Sequence, residues 1–197
     1  MHIFYSSLGA VFLFLATYQS AQACDEYFDM DPKAAANMIS AVKTATSEDA
    51  ETILAYHRVL CSFDPTTRLM ARSAGRESKV PAIQHAAILA SIMEKESLVF
   101  STYDPGDLSP AQVEYVRNNP LISYGIRGKD MTRGCISFNA PSCETEIASI
   151  SGLDLDLTTS RSVAKLRLQE DGVMRGMWSE LKRGKPVISV PVELRLD

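Results

Sequence analysis

No Gly-x-Ser-x-Gly, His-Glu-x-x-His, Walker or dinucleotide-binding pattern occurs in the sequence. That absence removes the hydrolases, zinc proteases and nucleotide enzymes whose chemistry needs those residues at those spacings. Histidine is scarce: beyond His2 there are only His57 and His85. A Ser/His/Asp triad can be drawn only by choosing freely among many serines and aspartates, so it carries no weight. Basic blocks are missing too. The 20 Lys+Arg and 24 Asp+Glu are intermixed and leave a formal net charge of −4, which argues against nucleic acid as a partner. No asparagine begins an Asn-x-Ser/Thr sequon. No pattern implies a cofactor.

Charge is absent altogether from residues 1–23. Ile3 to Thr17 is an apolar run, and Ala21-Gln22-Ala23 supplies the small-x-small residues of a cleavage site. This reads as a secretory signal peptide, although its start carries no Lys or Arg. The run is shorter than the ~20 residues a membrane span requires, so no stable span is expected after cleavage. Cys24 directly follows the site, as in a lipoprotein, but Ala21 and Gln22 match a lipobox poorly.

The mature chain, Cys24 to Asp197, is then expected in a periplasm or outside the cell. All four cysteines, Cys24, Cys61, Cys135 and Cys143, survive cleavage. An even count in an exported chain reads as two disulfides. Three connectivities are open. Cys24–Cys61 with Cys135–Cys143 is favoured, because the first pins the new N-terminus to a helix and the second closes a short loop through Asn139-Ala140-Pro141. Such loops stabilise by ~2–4 kcal/mol each.

The clearest periodicity lies in the last third. Ile188, Val190, Val192, Leu194 and Leu196 alternate with Val187, Ser189, Pro191, Glu193 and Arg195. Successive strand side chains point to opposite faces, so this is a strand with a dry side and a wet side. Pro191 argues for an edge strand or a bulge. Ala164, Leu166 and Leu168 alternate with Lys165, Arg167 and Gln169, and Asp171-Gly172 is a hairpin dipeptide. Met174, Gly176 and Trp178 share a face on the return strand. Leu153, Leu155 and Leu157 alternate with Asp154 and Asp156. The pattern predicts an antiparallel meander or small barrel over residues 121–197.

Residues 24–120 read as helical. Asp31-Pro32 opens a first helix, Ser47 or Asp49 a second, Asp64-Pro65 a third and Val80-Pro81 a fourth. Ser109-Pro110-Ala111-Gln112 has the form of a capping box for a short fifth helix. Ser101 to Leu108 reads as a loop. The run of short helices from Ser47 to Glu96 weakly resembles HEAT-type helical repeats, without a signature motif; a plain small bundle fits equally. The resemblance implies a surface for protein partners and no chemistry. The fold class is thus α+β: short helices, then an antiparallel β region.

Candidate chemistry is thin. His57 and Cys61 lie one helical turn apart and could join His85 around zinc, but an oxidising compartment puts Cys61 in a disulfide instead, so no metal site is assigned. Asp154 and Asp156 read as solvated strand residues rather than a calcium or acid/base pair. Lys182-Arg183-Gly184-Lys185 reads as a charged turn. No catalytic residue is assigned. Tyr103, Tyr115 and Tyr124 cluster around the expected helix–sheet junction and mark a candidate binding surface. Trp178, the only tryptophan, would line a ligand cavity if the sheet curls into a barrel. The first expectation is therefore a non-enzymatic exported protein that binds another protein. The second is a small-ligand carrier with a pocket beside Trp178. The third is a hydrolase whose site the sequence hides.

Overall fold

The helices begin where aspartate and proline coincide. The structure, a computed structural model, describes Cys24 and residues 27–196; the segment read as a signal peptide lies outside these residues. Helix α1 (Pro32–Thr44), α2 (Ala50–Leu60), α3 (Pro65–Arg76) and α4 (Pro81–Met93) come first. Asp31, Asp49 and Asp64 accept backbone N–H bonds from Ala34, Thr52 and the Thr66/Thr67 pair. A carboxylate there satisfies orphan donors and complements the positive end of the helix dipole. Helix α4 has no side-chain cap and is apolar around much of its circumference, with Ile83, Ala87, Ile88 and Ile92 buried. Such a helix is held by burial.

The four helices gather around Tyr56, Val59, Ala71, Ala74, Ile83 and Ala87. The buried Tyr56 hydroxyl donates to the Ala71 carbonyl at 3.2 Å. Gly75 makes room for it, because a Cβ there would run into the phenol. A disulfide joins Cys24 to Cys61 with Cα atoms 5.3 Å apart. It occupies the Cys24 sulfur and leaves no thiol for a lipid thioether.

Strand β1 (Ser97–Thr102) follows, then α5 (Pro110–Asn118), β2 (Leu121–Gly125), β3 (Gly128–Asp130), β4 (Cys135–Ser137), β5 (Ile147–Ser151), β6 (Asp154–Thr158), β7 (Ser162–Leu168), β8 (Met174–Lys182) and β9 (Lys185–Leu194). They form one nine-stranded sheet in the order β2-β1-β9-β8-β7-β6-β5-β4-β3, and every pairing is antiparallel. The two terminal strands of that order are neighbours in sequence. Between them the Ile126 amide donates to Glu96 and the Arg127 amide to Ser137, both at 2.8 Å. Residues 121–130 are thus one bent strand whose first half pairs with β1 and whose second half pairs with β4. The sheet is a rolled half-barrel whose two ends meet in that strand.

One element departs from the sequence reading, and two details refine it. Strand β1 falls inside the stretch read as helical, and the loop read from Ser101 begins with its last two residues. Pro191 sits at a local edge rather than at a bulge: β9 pairs with β8 along its length, but its pairing with β1 covers only Val192 and Glu193, and the register shift lies at Glu180/Leu181. Proline is tolerated because its nitrogen faces the β1 side just where that ladder ends, at the pair Thr102–Val192; the Pro191 carbonyl still accepts from the Tyr103 amide at 3.3 Å. Asp154 and Asp156 stay on the solvated outer face, where each meets a cation across the strand pair, Arg167 and Lys165 respectively.

The dry faces of the strands point inward. Leu98, Phe100, Ala148, Ile150, Leu155, Leu157, Leu166, Met174, Val190 and Val192 fill the interior together with Ile88, Leu89 and Ile92 of α4. Helix α4 sits at one end of the roll: His85 Nδ1 lies 3.0 Å from the Gly152 carbonyl in the β5–β6 turn. At the same end Arg76 and Glu77 line a cleft with Asp171 and Gly172 of the β7–β8 turn. Successive hairpin turns alternate between ends, so the β6–β7 and β8–β9 turns lie at the other.

Candidate functional site

At that other end the inward face changes character. On β8 the sequence Met174, Gly176, Trp178, Glu180 runs from the core to the mouth, and on β7 Leu168, Leu166, Ala164, Ser162 does the same. Aliphatic filling gives way to an aromatic and then polar residues within two steps of a period-2 pattern. The result is an open pocket of about 520 Å³ lined by Tyr115, Tyr124, Phe138, Trp178, Ser162 and Glu180, with Glu146, Thr159, Ser160 and Arg161 at its rim.

Aromatic contacts build its wall. The Tyr115 and Trp178 rings stack with centroids 5.8 Å apart. Tyr124 packs against Phe138 at 5.2 Å and edge-on to Phe100 at 5.9 Å. Tyr124 comes from β2 and Phe138 from the end of β4, so this pair bridges the gap where the sheet's two ends approach. Helix α5 delivers Tyr115. Its capping box is formed by Ser109 and Gln112, and the Gln112 amide also donates to the Ser189 carbonyl at 2.6 Å, which fastens the helix to β9.

A line of hydroxyls runs along the floor. Trp178 Nε1 donates to Tyr124 Oη at 2.7 Å, Tyr124 Oη lies 2.5 Å from Ser162 Oγ, and Ser162 Oγ lies 2.8 Å from Thr159 Oγ1. Each buried polar atom thereby has a partner, as a low-dielectric site demands. The rim is charged. Ser160 Oγ donates to Glu146 Oε1 at 2.5 Å, and that bond, aided by nearby Arg161, holds the Glu146 carboxyl below the usual range. Glu146 takes φ +50°, a left-handed conformation unusual for a residue with a side chain. Desolvation, with Glu180 and Tyr124 adding negative charge, pushes the Tyr115 hydroxyl above its ordinary value.

Of the four aromatic residues singled out from sequence, the structure brings Tyr115, Tyr124 and Trp178 together and leaves Tyr103 out. Tyr103 lies beyond the end of β1, beside Pro191 and near Arg175. Sequence reasoning missed Phe138, Glu146, Ser162 and Glu180. Ser162 and Glu180 were within reach, since both continue the inward parity of their strands. Phe138 lies inside the loop closed by the Cys135–Cys143 disulfide and Glu146 just beyond it, where no periodicity exists to read.

The other candidates lie elsewhere. Cys61 is bonded to Cys24, and His85 meets the Gly152 carbonyl. Burial lowers the pKa of His57, whose ring sits 6.5 Å from Tyr56. Neither histidine lines the aromatic pocket. Among the described residues no three His, Cys, Asp or Glu side chains gather to hold a metal, and no helix is long and apolar enough to cross a membrane.

Fold and site together define a disulfide-braced α+β protein: a rolled antiparallel half-barrel covered by helices at one end and open at the other in an aromatic pocket. No family model, curated protein or solved structure matches the chain.

Proposed function

We propose that this is an exported binding protein, of the periplasm or the cell exterior, that holds a small ligand in the aromatic mouth of its half-barrel. Two disulfides support an oxidising, non-cytoplasmic location. The observation that carries the reading is the pocket itself. Its volume of about 520 Å³ lies in the range of ~300–1,000 Å³ usual for small-molecule sites, and its mix of aromatic walls with a few placed polar groups is what such sites share. The test is fluorescence of the mature chain, whose single tryptophan is Trp178, against a panel of metabolites and lipids. A saturable change with one chemical class, weakened in Tyr115→Ala, is expected. No response to any class, with the protein folded, would overturn it.

A second reading, a protein partner, is favoured by a different observation. Leu54 of α2, Phe63 in the α2–α3 connection, and Leu69 and Met70 of α3 are all exposed on the helical layer, and exposed apolar side chains that form one patch mark interaction surfaces. Affinity capture with Leu54→Ser/Phe63→Ser as the comparison tests it: loss of a partner only in that variant supports the reading.

A further inference from the structure

We infer that the ligand of the aromatic pocket is a small organic cation, an ammonium ion carried on a compact apolar body. The inference rests on the ligand-binding reading above and narrows it. Three features of the pocket converge on positive charge.

The first is the wall. Tyr115, Tyr124, Phe138 and Trp178 together line one pocket. Aromatic faces carry negative charge density and attract ammonium groups, most strongly when Trp and Tyr supply them and water is partly excluded. The second is the rim. Two carboxylates, Glu146 and Glu180, stand against one guanidinium, Arg161. Glu146 is already engaged, bonded to Ser160 and close to Arg161. Glu180 has no cationic partner among the described residues, so its charge is left for whatever enters. The third is placement. Glu180 is the next inward-facing residue of β8 after Trp178, and it pairs in register with Ser162. Glu180 therefore lines the pocket mouth on the same face as Trp178 rather than the outer wet face.

A neutral apolar ligand would gain the wall but nothing from Glu180. An anion would meet two carboxylates. A cation uses both wall and rim, and its affinity falls with added salt because part of it is Coulombic.

Choline and its neutral isostere 3,3-dimethylbutan-1-ol separate charge from shape. Both are titrated into the mature wild-type chain, with Trp178 emission and calorimetry as readouts, at low and high salt. Choline is expected to bind at least tenfold more tightly than the isostere. Glu180→Gln should narrow that gap at least threefold, and Asp156→Asn, a carboxylate change on the outer face, should leave it unchanged. Equal binding of the two probes overturns the inference while leaving a ligand pocket in place. Response to neither probe also overturns it, and the wider panel then decides the ligand-binding reading separately. Thermal melts of Glu180→Gln establish that any loss is not unfolding.

Discussion

Trp178 Nε1 donates to Tyr124 Oη at 2.7 Å across the mouth of the half-barrel, joining β8 to the bent strand that ends the sheet. Those two residues are 54 positions apart in the chain. The bond fixes the indole that forms the pocket wall, and the same Tyr124 oxygen passes the line on to Ser162. Replacing Tyr124 with Phe keeps the ring contacts and leaves a buried indole N–H without an acceptor. A cost of about 1–3 kcal/mol is expected, the desolvation penalty of one orphaned donor. Urea unfolding followed by far-UV circular dichroism checks it. A change below 0.5 kcal/mol would show the bond to be dispensable.

Gly176 of β8 pairs with Leu166 of β7. A Cβ there would collide with the Lys165 carbonyl and the Leu166 backbone, which are not free to swing aside. Gly176→Ala is expected to cost about 3 kcal/mol or more. Gly125→Ala, with open space around the site, should be neutral to within about 1 kcal/mol. Equal effects in the two variants would count against the close strand contact.

The disulfides should separate by loop length. Cys24–Cys61 spans 37 positions and Cys135–Cys143 spans 8. Loop-closure entropy gives about 4 kcal/mol for the first and about 2.5 for the second. Paired Cys→Ser variants compared by denaturant midpoint test the order. Loss of Cys135–Cys143 should also weaken ligand binding, because Phe138 lies within its loop and Glu146 just beyond it. Loss of Cys24–Cys61, at the helical end, should leave binding unchanged while lowering stability more.

Burial holds the pKa of His57 below its usual value of 6.5. The folded state therefore takes up this proton less readily than the unfolded chain. Stability from this residue is complete above pH 6.5 and declines as the pH falls below it. Between pH 7.5 and 5.5 the wild-type denaturant midpoint should drop. In His57→Gln the drop should be smaller. An identical drop would assign the pH dependence to other groups.

Much of this architecture was legible because local chemistry and global packing agree. Asp31, Asp49 and Asp64 cap helices in the structure as their positions ahead of helical stripes imply. The alternation in β6 to β9 names the buried faces. Legibility failed where pairing is non-local. Leu98 and Phe100 of β1 are fully buried, but the strand is short and adjoins a helix and a loop, so it offers few turns of pattern. The closure through Ile126 and Arg127 depends on which partners the two halves of one strand choose, and no period records that. Tyr115 and Tyr124 were found because aromatic residues at a junction tend to meet. Tyr103 fails the same test, because it follows Thr102 into register with Pro191 on the outer face of the sheet and does not line the pocket. Glu146 takes its place on the rim through a left-handed backbone turn.

The most direct measurement is native mass spectrometry of the mature protein, purified without denaturation from the cells that make it, alongside Tyr115→Ala and Trp178→Phe variants. The expected result is a small-molecule adduct on the wild type that is reduced or lost in both variants. A bare protein mass, in a sample whose Trp178 emission also ignores the full ligand panel, would contradict the account.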